Sequence, residues 1–183
     1  MSGANSLLTA AEFSRMADPG HPQELVRGIV VNMPPPKPRH GKICGRIIAH
    51  LVAYCDASDL GHVLGNDSGV VTEQDPDTVR GPDVTFIGYA KLPRDADLDD
   101  YVEIAPDAVF EVRSPSDGWS KILRMVAEYL QLGVLAVYVF DSEMEQVHCY
   151  YPDKPEQILT AADELAGVGP LAGFRVPVAK FFA

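Results

Sequence analysis

The chain has 183 residues, of which 46% are hydrophobic, and this is enough for one domain with a substantial core. Its formal net charge of −11 weighs against a general nucleic-acid-binding surface, which requires clustered Lys and Arg. No apolar run approaches the roughly 20 residues of a membrane span, and the N-terminus lacks the basic and apolar segments of a signal peptide. We therefore expect a cytoplasmic protein without membrane association, with residues 1–183 as a single domain and residues 1–20 as its N-terminal helical extension.

The cations are unevenly distributed along this acidic chain. Five of them fall within one short stretch, namely Arg27, Lys37, Arg39, Lys42 and Arg46. Two interpretations remain open: a local basic face that contacts DNA, or a solvated surface without a partner.

The chain has three cysteines, Cys44, Cys55 and Cys149. Their number is odd and no two have Cys-x-x-Cys spacing, so we expect buried, reduced thiols in preference to a zinc site.

The first third of the chain predicts a short helix, a hairpin and one long helix. A capping box at residues 9–12 predicts a helix over about 10–17, and the Arg27-Gly28 turn predicts a tight hairpin over 25–31. Residues 34–38 are proline-rich and predict an extended connection. From Gly41, apolar residues recur at every fourth position and predict a helix with one face in a core: Ile43, Ile47, Leu51 and Cys55.

The remainder predicts strands around a second helix. Short strands are expected at 62–64, 69–72, 84–87 and 108–112, with an exposed acidic loop at 94–100. A helix over about 118–131 is expected to be capped by Ser116 or Asp117 and to end at Gly133; its buried side would hold Trp119, Ile122, Leu123, Val126, Tyr129 and Leu130. Strands at 134–140 and 146–151 are expected to form a hairpin, followed by short extended pieces and a terminal turn. The order predicts an α/β (α+β) fold with a mixed sheet flanked by helices.

An acid stands inside the apolar strand predicted at residues 108–112. Glu111 would be buried there, and a buried carboxylate usually has a cation, a metal or a proton to balance it. Upstream, Asp83 follows Pro82 and directly precedes another apolar run. Two carboxylates on adjacent strands would suit a divalent ion such as Mg²⁺, and with Arg113 two residues beyond Glu111 the pattern is typical of metal-dependent nucleases.

The identity of the first acid stays open at this point. Pro-Asp dipeptides begin at four prolines, Pro76, Pro82, Pro106 and Pro152, and this dipeptide is common in ordinary turns. Asp107 is also followed by apolar residues, so spacing does not exclude it as an alternative to Asp83.

Seven ordered segments share a pattern with one known family. They are 24–31 (ELVRGIVV), 34–41 (PPPKPRHG), 67–69 (DSG), 76–86 (PDTVRGPDVTF), 105–117 (APDAVFEVRSPSD), 127–134 (AEYLQLGV) and 173–177 (GFRVP). Each is weak alone, but together they make the chain resemble the Uma family of restriction endonucleases, within the PD-(D/E)xK nuclease superfamily.

The resemblance implies a restriction-endonuclease-like core, a homodimer and DNA as the partner. It implies Asp83 and Glu111 as ligands of Mg²⁺ (or Mn²⁺), with Glu24 completing the acidic cluster. His40 matches a family position where His precedes Gly. From the residues alone, Glu24 would equally suit a hairpin end, and His40 a polar position in the first helical turn.

One position departs from the family pattern. The family's catalytic lysine commonly lies on the helix after the acidic strand, four residues before the Tyr of a Glu-Tyr pair, and Met125 stands there in this chain. Arg113 and Lys121 are the nearby candidates to replace it, although Lys121 is equally expected as a solvated lysine. Two functions remain: a metal-dependent DNA endonuclease, or a catalytically silent protein of the same fold that binds or dimerises.

Overall fold

The structure, a computed structural model, describes residues 7–183. In chain order the elements are α1 (Ala10–Ser14), β1 (Gln23–Val26), β2 (Ile29–Asn32), α2 (Pro38–Ser58), β3 (Gly61–Gly65), β4 (Val70–Glu73), β5 (Thr78–Arg80), β6 (Val84–Gly88), β7 (Ala108–Arg113), α3 (Trp119–Leu132), β8 (Ala136–Asp141), β9 (Gln146–Tyr151), β10 (Lys154–Leu159), β11 (Glu164–Ala166), a 3₁₀ helix (Gly169–Leu171), β12 (Arg175–Pro177) and α4 (Ala179–Phe182). Within these residues, no helix has the length and apolar character needed to cross a membrane.

A six-stranded mixed sheet forms the centre, in the order β10-β9-β8-β7-β6-β3. The β7–β8 pair is parallel, and the other neighbouring pairs of this sheet are antiparallel. A parallel pair requires a crossover connection, and α3 supplies it. The predicted mixed sheet flanked by helices is therefore confirmed.

Helices α2 and α3 cover opposite faces of this sheet. Phe110 and Val112 of β7 share a core with the buried side of α2, whereas Val109 packs with the buried side of α3. Side chains alternate between the faces of a strand, so Glu111 lies on the α3 face. The periodicity of α2 is confirmed, since its buried residues are Ile43, Ile47, Leu51 and Cys55.

A smaller antiparallel sheet, in the order β2-β1-β5-β4, lies beside α3, which it contacts through β4. Phe13 of α1 packs into its core with Leu25, Val71 and Val79. Positive φ angles at Arg27 (50°) and Gly28 (76°) allow the tight turn of the predicted hairpin. Strand β5 has three residues and was not predicted. It ends in Arg80, which lines the cavity described below.

Several predictions about where the helices begin, and one about which residues they bury, are wrong. Helix α2 begins at Pro38, three residues earlier than expected, because proline suits the first helical position. Helix α3 is capped by Gly118 without a side-chain hydrogen bond, so neither Ser116 nor Asp117 caps it. Leu123, expected on the buried side of α3, is 47% exposed.

Candidate active site

A cavity of about 390 Å³ opens where the smaller sheet, the starts of α2 and α3, and the adjoining ends of β6 and β7 meet. Five carboxylates from different parts of the chain line it, namely Glu24, Asp67, Asp83, Glu111 and Asp117. The fold therefore gathers acids that lie far apart in the sequence, including all three of the predicted cluster.

Asp83 is fixed by the strand next to its own. Val84 pairs with Phe110 in the antiparallel register of β6 and β7, so Asp83, one residue earlier, faces Glu111. The Val112 amide donates to Asp83 Oδ2 over 2.7 Å, and His40 Nε2 lies 3.2 Å from the same oxygen. Both contacts are made by Oδ2.

The surroundings of Glu111 disfavour a negative charge on its carboxyl group. The carboxyl is buried, and the Tyr129 hydroxyl donates to its Oε1 over 2.9 Å. Burial and then the charge of Asp83 raise the pKa of Glu111 well above its ordinary value, and Glu24 adds to the effect. Such a group holds a proton or requires a nearby cation.

Glu24 belongs to a buried ion cluster centred on Arg80, which the sequence did not identify. Arg80 Nη1 lies 2.9 Å from Glu24 Oε2, while its Nε and Nη2 bond both carboxylate oxygens of Glu128 on α3 over 2.9 and 2.7 Å. The Gly81 amide donates to Glu24 Oε1 over 3.2 Å. Two features of the sequence could have pointed to this cluster. Arg80 lies three residues before Asp83, and Glu128 belongs to the Glu-Tyr pair.

His40 lies in the first turn of α2, between Asp83 and Cys44. Its Nδ1 is 3.4 Å from Cys44 Sγ, and its Nε2 faces Asp83. Burial alone lowers the pKa of His40, but the hydrogen bond and charge of Asp83 outweigh it and leave that pKa raised. Burial, followed by the charges of Asp83 and Glu111, raises the pKa of the Cys44 thiol. Donor atoms of His40, Cys44 and Asp83 lie within 4.8 Å of one another, a group that could hold a metal ion.

The two predicted replacement cations occupy different environments. Arg113 is absent from the residues that line the cavity; its Nη1 lies 3.2 Å from Asp141 Oδ2 and 3.1 Å from Glu143 Oε2. Lys121 does line the cavity, and its Nζ is 3.0 Å from Asp117 Oδ1. Met125, one turn along α3, also lines the cavity.

Asp107, the alternative first acid, lies at the opposite end of β7 from Glu111. It accepts the Gly88 amide over 2.8 Å and pairs with Lys91 Nζ over 2.9 Å. Its charge is thus balanced away from the cavity, whereas Asp83 lines the cavity.

Comparison with known proteins identifies the family of this chain. A family model described as "Uma2: Putative restriction endonuclease" matches residues 10–179. The chain belongs to the Uma2 family. The resemblance inferred from the seven sequence segments is confirmed, and the match spans every residue of the acidic cluster.

The Uma2 fold is also similar to a solved structure. The crystal structure described as "a putative nuclease belonging to DUF820 from Anabaena variabilis" matches with a TM-score of 0.79 at 18% sequence identity. The match covers 96% of this chain and 97% of the other. This likeness confirms the predicted fold, a mixed central sheet with flanking helices. No curated protein matches the chain in sequence.

Proposed function

We propose that the chain is a metal-dependent endonuclease that hydrolyses phosphodiester bonds in DNA with Mg²⁺ or Mn²⁺. The observation that carries this proposal is the convergence of Glu24, Asp83 and Glu111 in one cavity. Membership of a family described as restriction endonucleases gives it independent support.

The donor set of the cavity fits a hard divalent cation. Carboxylate oxygens are the ligands that Mg²⁺ and Mn²⁺ prefer, and Asp83 and Glu111 face each other on adjacent strands. Two cations that line the cavity already have carboxylate partners, because Arg80 binds Glu24 and Glu128 while Lys121 binds Asp117. A divalent ion would stabilise the ionised forms of the neighbouring carboxylates, and we assign Asp83 and Glu111 as its ligands.

When bound, the ion would polarise the phosphoryl group and lower the pKa of an attacking water. The protein's own contribution is to hold the acids in position beforehand. The Val112 amide orients Asp83, the Tyr129 hydroxyl orients Glu111, and Arg80 orients Glu24. Groups held in this way need little rearrangement during reaction, which is a large part of catalytic power.

Two further side chains have suitable chemistry for phosphodiester cleavage. Lys121 lines the cavity, where its ammonium would stabilise negative charge that develops on the phosphate. His40 would hold a proton at Nε2 against Asp83 and release it to the departing oxygen. Arg113 has its charge balanced by Asp141 and Glu143, so in this proposal it supports the end of β7 and does not contact DNA.

The cationic stripe beside the cavity is the proposed DNA contact. Lys37 precedes α2, and Arg39, Lys42 and Arg46 follow at spacings that place them on one exposed helical face. Arg39 Nη2 lies 2.8 Å from Glu145 Oε1, but unlike Arg113 this arginine is exposed, and its ion pair would exchange readily for a phosphate. A local stripe of this kind is compatible with a net charge of −11, because phosphate contacts depend on nearby charge. A homodimer, proposed from the family resemblance, would supply two sites and allow both strands to be cut.

The decisive experiment combines metal binding with DNA cleavage. Calorimetric titration of the wild type with Mg²⁺ or Mn²⁺ should show binding that Glu111→Ala abolishes, and supercoiled plasmid should be cleaved by the wild type but not by Glu111→Ala. Glu103→Ala, which removes an exposed acid, is the matched control and should bind and cleave normally. Unchanged metal binding in Glu111→Ala would remove the central assignment. Nicked rather than linear product would argue against a dimer that cuts both strands.

A second function, binding DNA without cutting it, is favoured by one specific observation. Met125 occupies the family's usual lysine position and lines the cavity, and a thioether supplies neither charge nor a proton. If neither the wild type nor Met125→Lys cleaves any nucleic acid with Mg²⁺ or Mn²⁺ while DNA is still bound, this second function replaces the first.

A further inference from the structure

The proposed hydrolysis gives no role to Cys44, although this thiol lies beside the acidic cluster. Cys44 follows His40 by four residues on α2, so both side chains lie on the same helical face, directed towards Asp83. The sequence offered no Cys-x-x-Cys signal here. The relevant spacing is the one-turn helical spacing of a His and a Cys, completed by an acid from a distant strand.

The three donor groups lie close enough for one ion to gather them, but Cys44 and Asp83 approach different nitrogens of the His40 ring, and only one of these nitrogens would bind the ion. Sγ of Cys44 lies 3.4 Å from His40 Nδ1, and His40 Nε2 lies 3.2 Å from Asp83 Oδ2. With zinc–sulfur bonds of about 2.3 Å and zinc–nitrogen or zinc–oxygen bonds of about 2.0 Å, tetrahedral geometry separates neighbouring ligand atoms by about 3.3–3.5 Å. The three donor atoms all lie within 4.8 Å of one another, so displacements of about 1 Å and a turn of the imidazole would bring them around one ion.

The donor chemistry differs from that of the site formed by Asp83 and Glu111. A thiolate, an imidazole and a carboxylate together suit Zn²⁺ and similar ions, whereas Mg²⁺ prefers oxygen alone. Side chains of His40 and Asp83 are only 18% and 11% exposed, so few waters compete with the protein ligands.

We propose that His40, Cys44 and Asp83 form a second metal site that selects a thiophilic divalent ion of the Zn²⁺ class. On binding, the Cys44 S–H bond is broken, a sulfur–metal bond forms and the proton passes to solvent, with water completing the coordination. Because Asp83 and His40 both take part in the proposed cleavage, an ion of the Zn²⁺ class held by them and by Cys44 inhibits cleavage. The inhibition rests on the proposed endonuclease function, whereas the binding of Zn²⁺ does not.

The test uses Co²⁺ as a spectroscopic probe for Zn²⁺. Co²⁺ bound to a thiolate has an intense ultraviolet charge-transfer absorption, which should appear with the wild type and be bleached by equimolar Zn²⁺. Cys44→Ser should abolish the absorption and weaken Zn²⁺ binding at least about tenfold, a loss comparable to removing a supporting group at other metal sites. Cys149→Ser is the matched control, because Cys149 is a free cysteine in the core on β9, and it should behave like the wild type.

The outcomes separate this site from the proposed function. Absence of the absorption in the wild type, or its persistence in Cys44→Ser, overturns the second site and leaves His40 and Cys44 as a hydrogen-bonded pair. Loss of the absorption in Cys149→Ser overturns it as well. Glu111→Gln should retain the Co²⁺ absorption, because Glu111 is not a ligand here. If the wild type binds Co²⁺ as expected but never cleaves DNA, the endonuclease proposal fails and the second metal site stands.

Discussion

Replacing Glu111 by Gln should stabilise the metal-free protein while abolishing its affinity for Mg²⁺. The carboxyl is buried opposite Asp83, and burial together with that neighbouring charge raises its pKa well above the ordinary value. Glutamine keeps an oxygen that accepts the Tyr129 hydrogen bond, so the substitution removes the charge with little change in shape.

The size and sign of the effect follow from the raised pKa. Side chains directly opposite in an antiparallel pair are about 5 Å apart, where two like charges repel by about 3 kcal/mol at an effective dielectric constant of about 20. The folded state binds the Glu111 proton more tightly than the unfolded state does. The resulting stabilisation is fully present below the unfolded-state pKa of about 4.3 and is lost as the pH rises through the higher folded-state pKa. The free energy of unfolding of Glu111→Gln should therefore rise relative to that of the wild type as the pH increases, by up to about 3 kcal/mol.

Urea denaturation in the presence of a chelator, repeated across the pH range, measures this difference. Adding Mg²⁺ at about 100 times its dissociation constant should then stabilise the wild type by about 2.7 kcal/mol and leave Glu111→Gln unchanged. Glu103→Gln removes an exposed acid and serves as the control, with no comparable trend expected. If the free energies of unfolding of the wild type and Glu111→Gln have the same dependence on pH, the reasoning is refuted, because the pKa of Glu111 would then not be raised by folding.

Three other changes test the remaining parts of the site. Arg80→Gln should lower the free energy of unfolding by about 3–5 kcal/mol in urea melts, because it leaves the buried Glu24 and the half-buried Glu128 without their cation. A loss below about 1 kcal/mol, as for an exposed ion pair, would contradict the ion cluster. Combining Arg39→Ala with Lys42→Ala should flatten the salt dependence of DNA binding by about one unit of slope per lost phosphate contact, and an unchanged slope would make this face a solvated surface. Met125→Lys should increase plasmid cleavage, since one preorganised charge-stabilising group is typically worth about 10²–10³ in rate; if Lys121→Ala silences a wild type that already cleaves well, the cation has instead moved by one turn.

Local patterns in the sequence were sufficient for the framework of the fold. The four-residue period of α2 depends only on which side of a helix faces apolar neighbours, and its buried residues are those expected. The acid within the apolar strand at Glu111 was equally visible, because a charge in such a segment is costly wherever the strand is placed. Errors occurred at element ends, as at the Gly118 cap, where weak local preferences compete.

The partners of the site residues were decided by tertiary structure alone. Arg80, Glu128 and Cys44 have ordinary local sequences, and their importance comes from neighbours up to 56 residues away, as in the bond between Arg80 and Glu24. The same holds for the choice between Asp83 and Asp107, since both follow proline and precede apolar residues, and only the pairing of β6 with β7 places Asp83 opposite Glu111. Periodicity reports which side of an element is buried, but it carries no information about which distant charge will lie against it, because that depends on strand register and on the packing of whole elements.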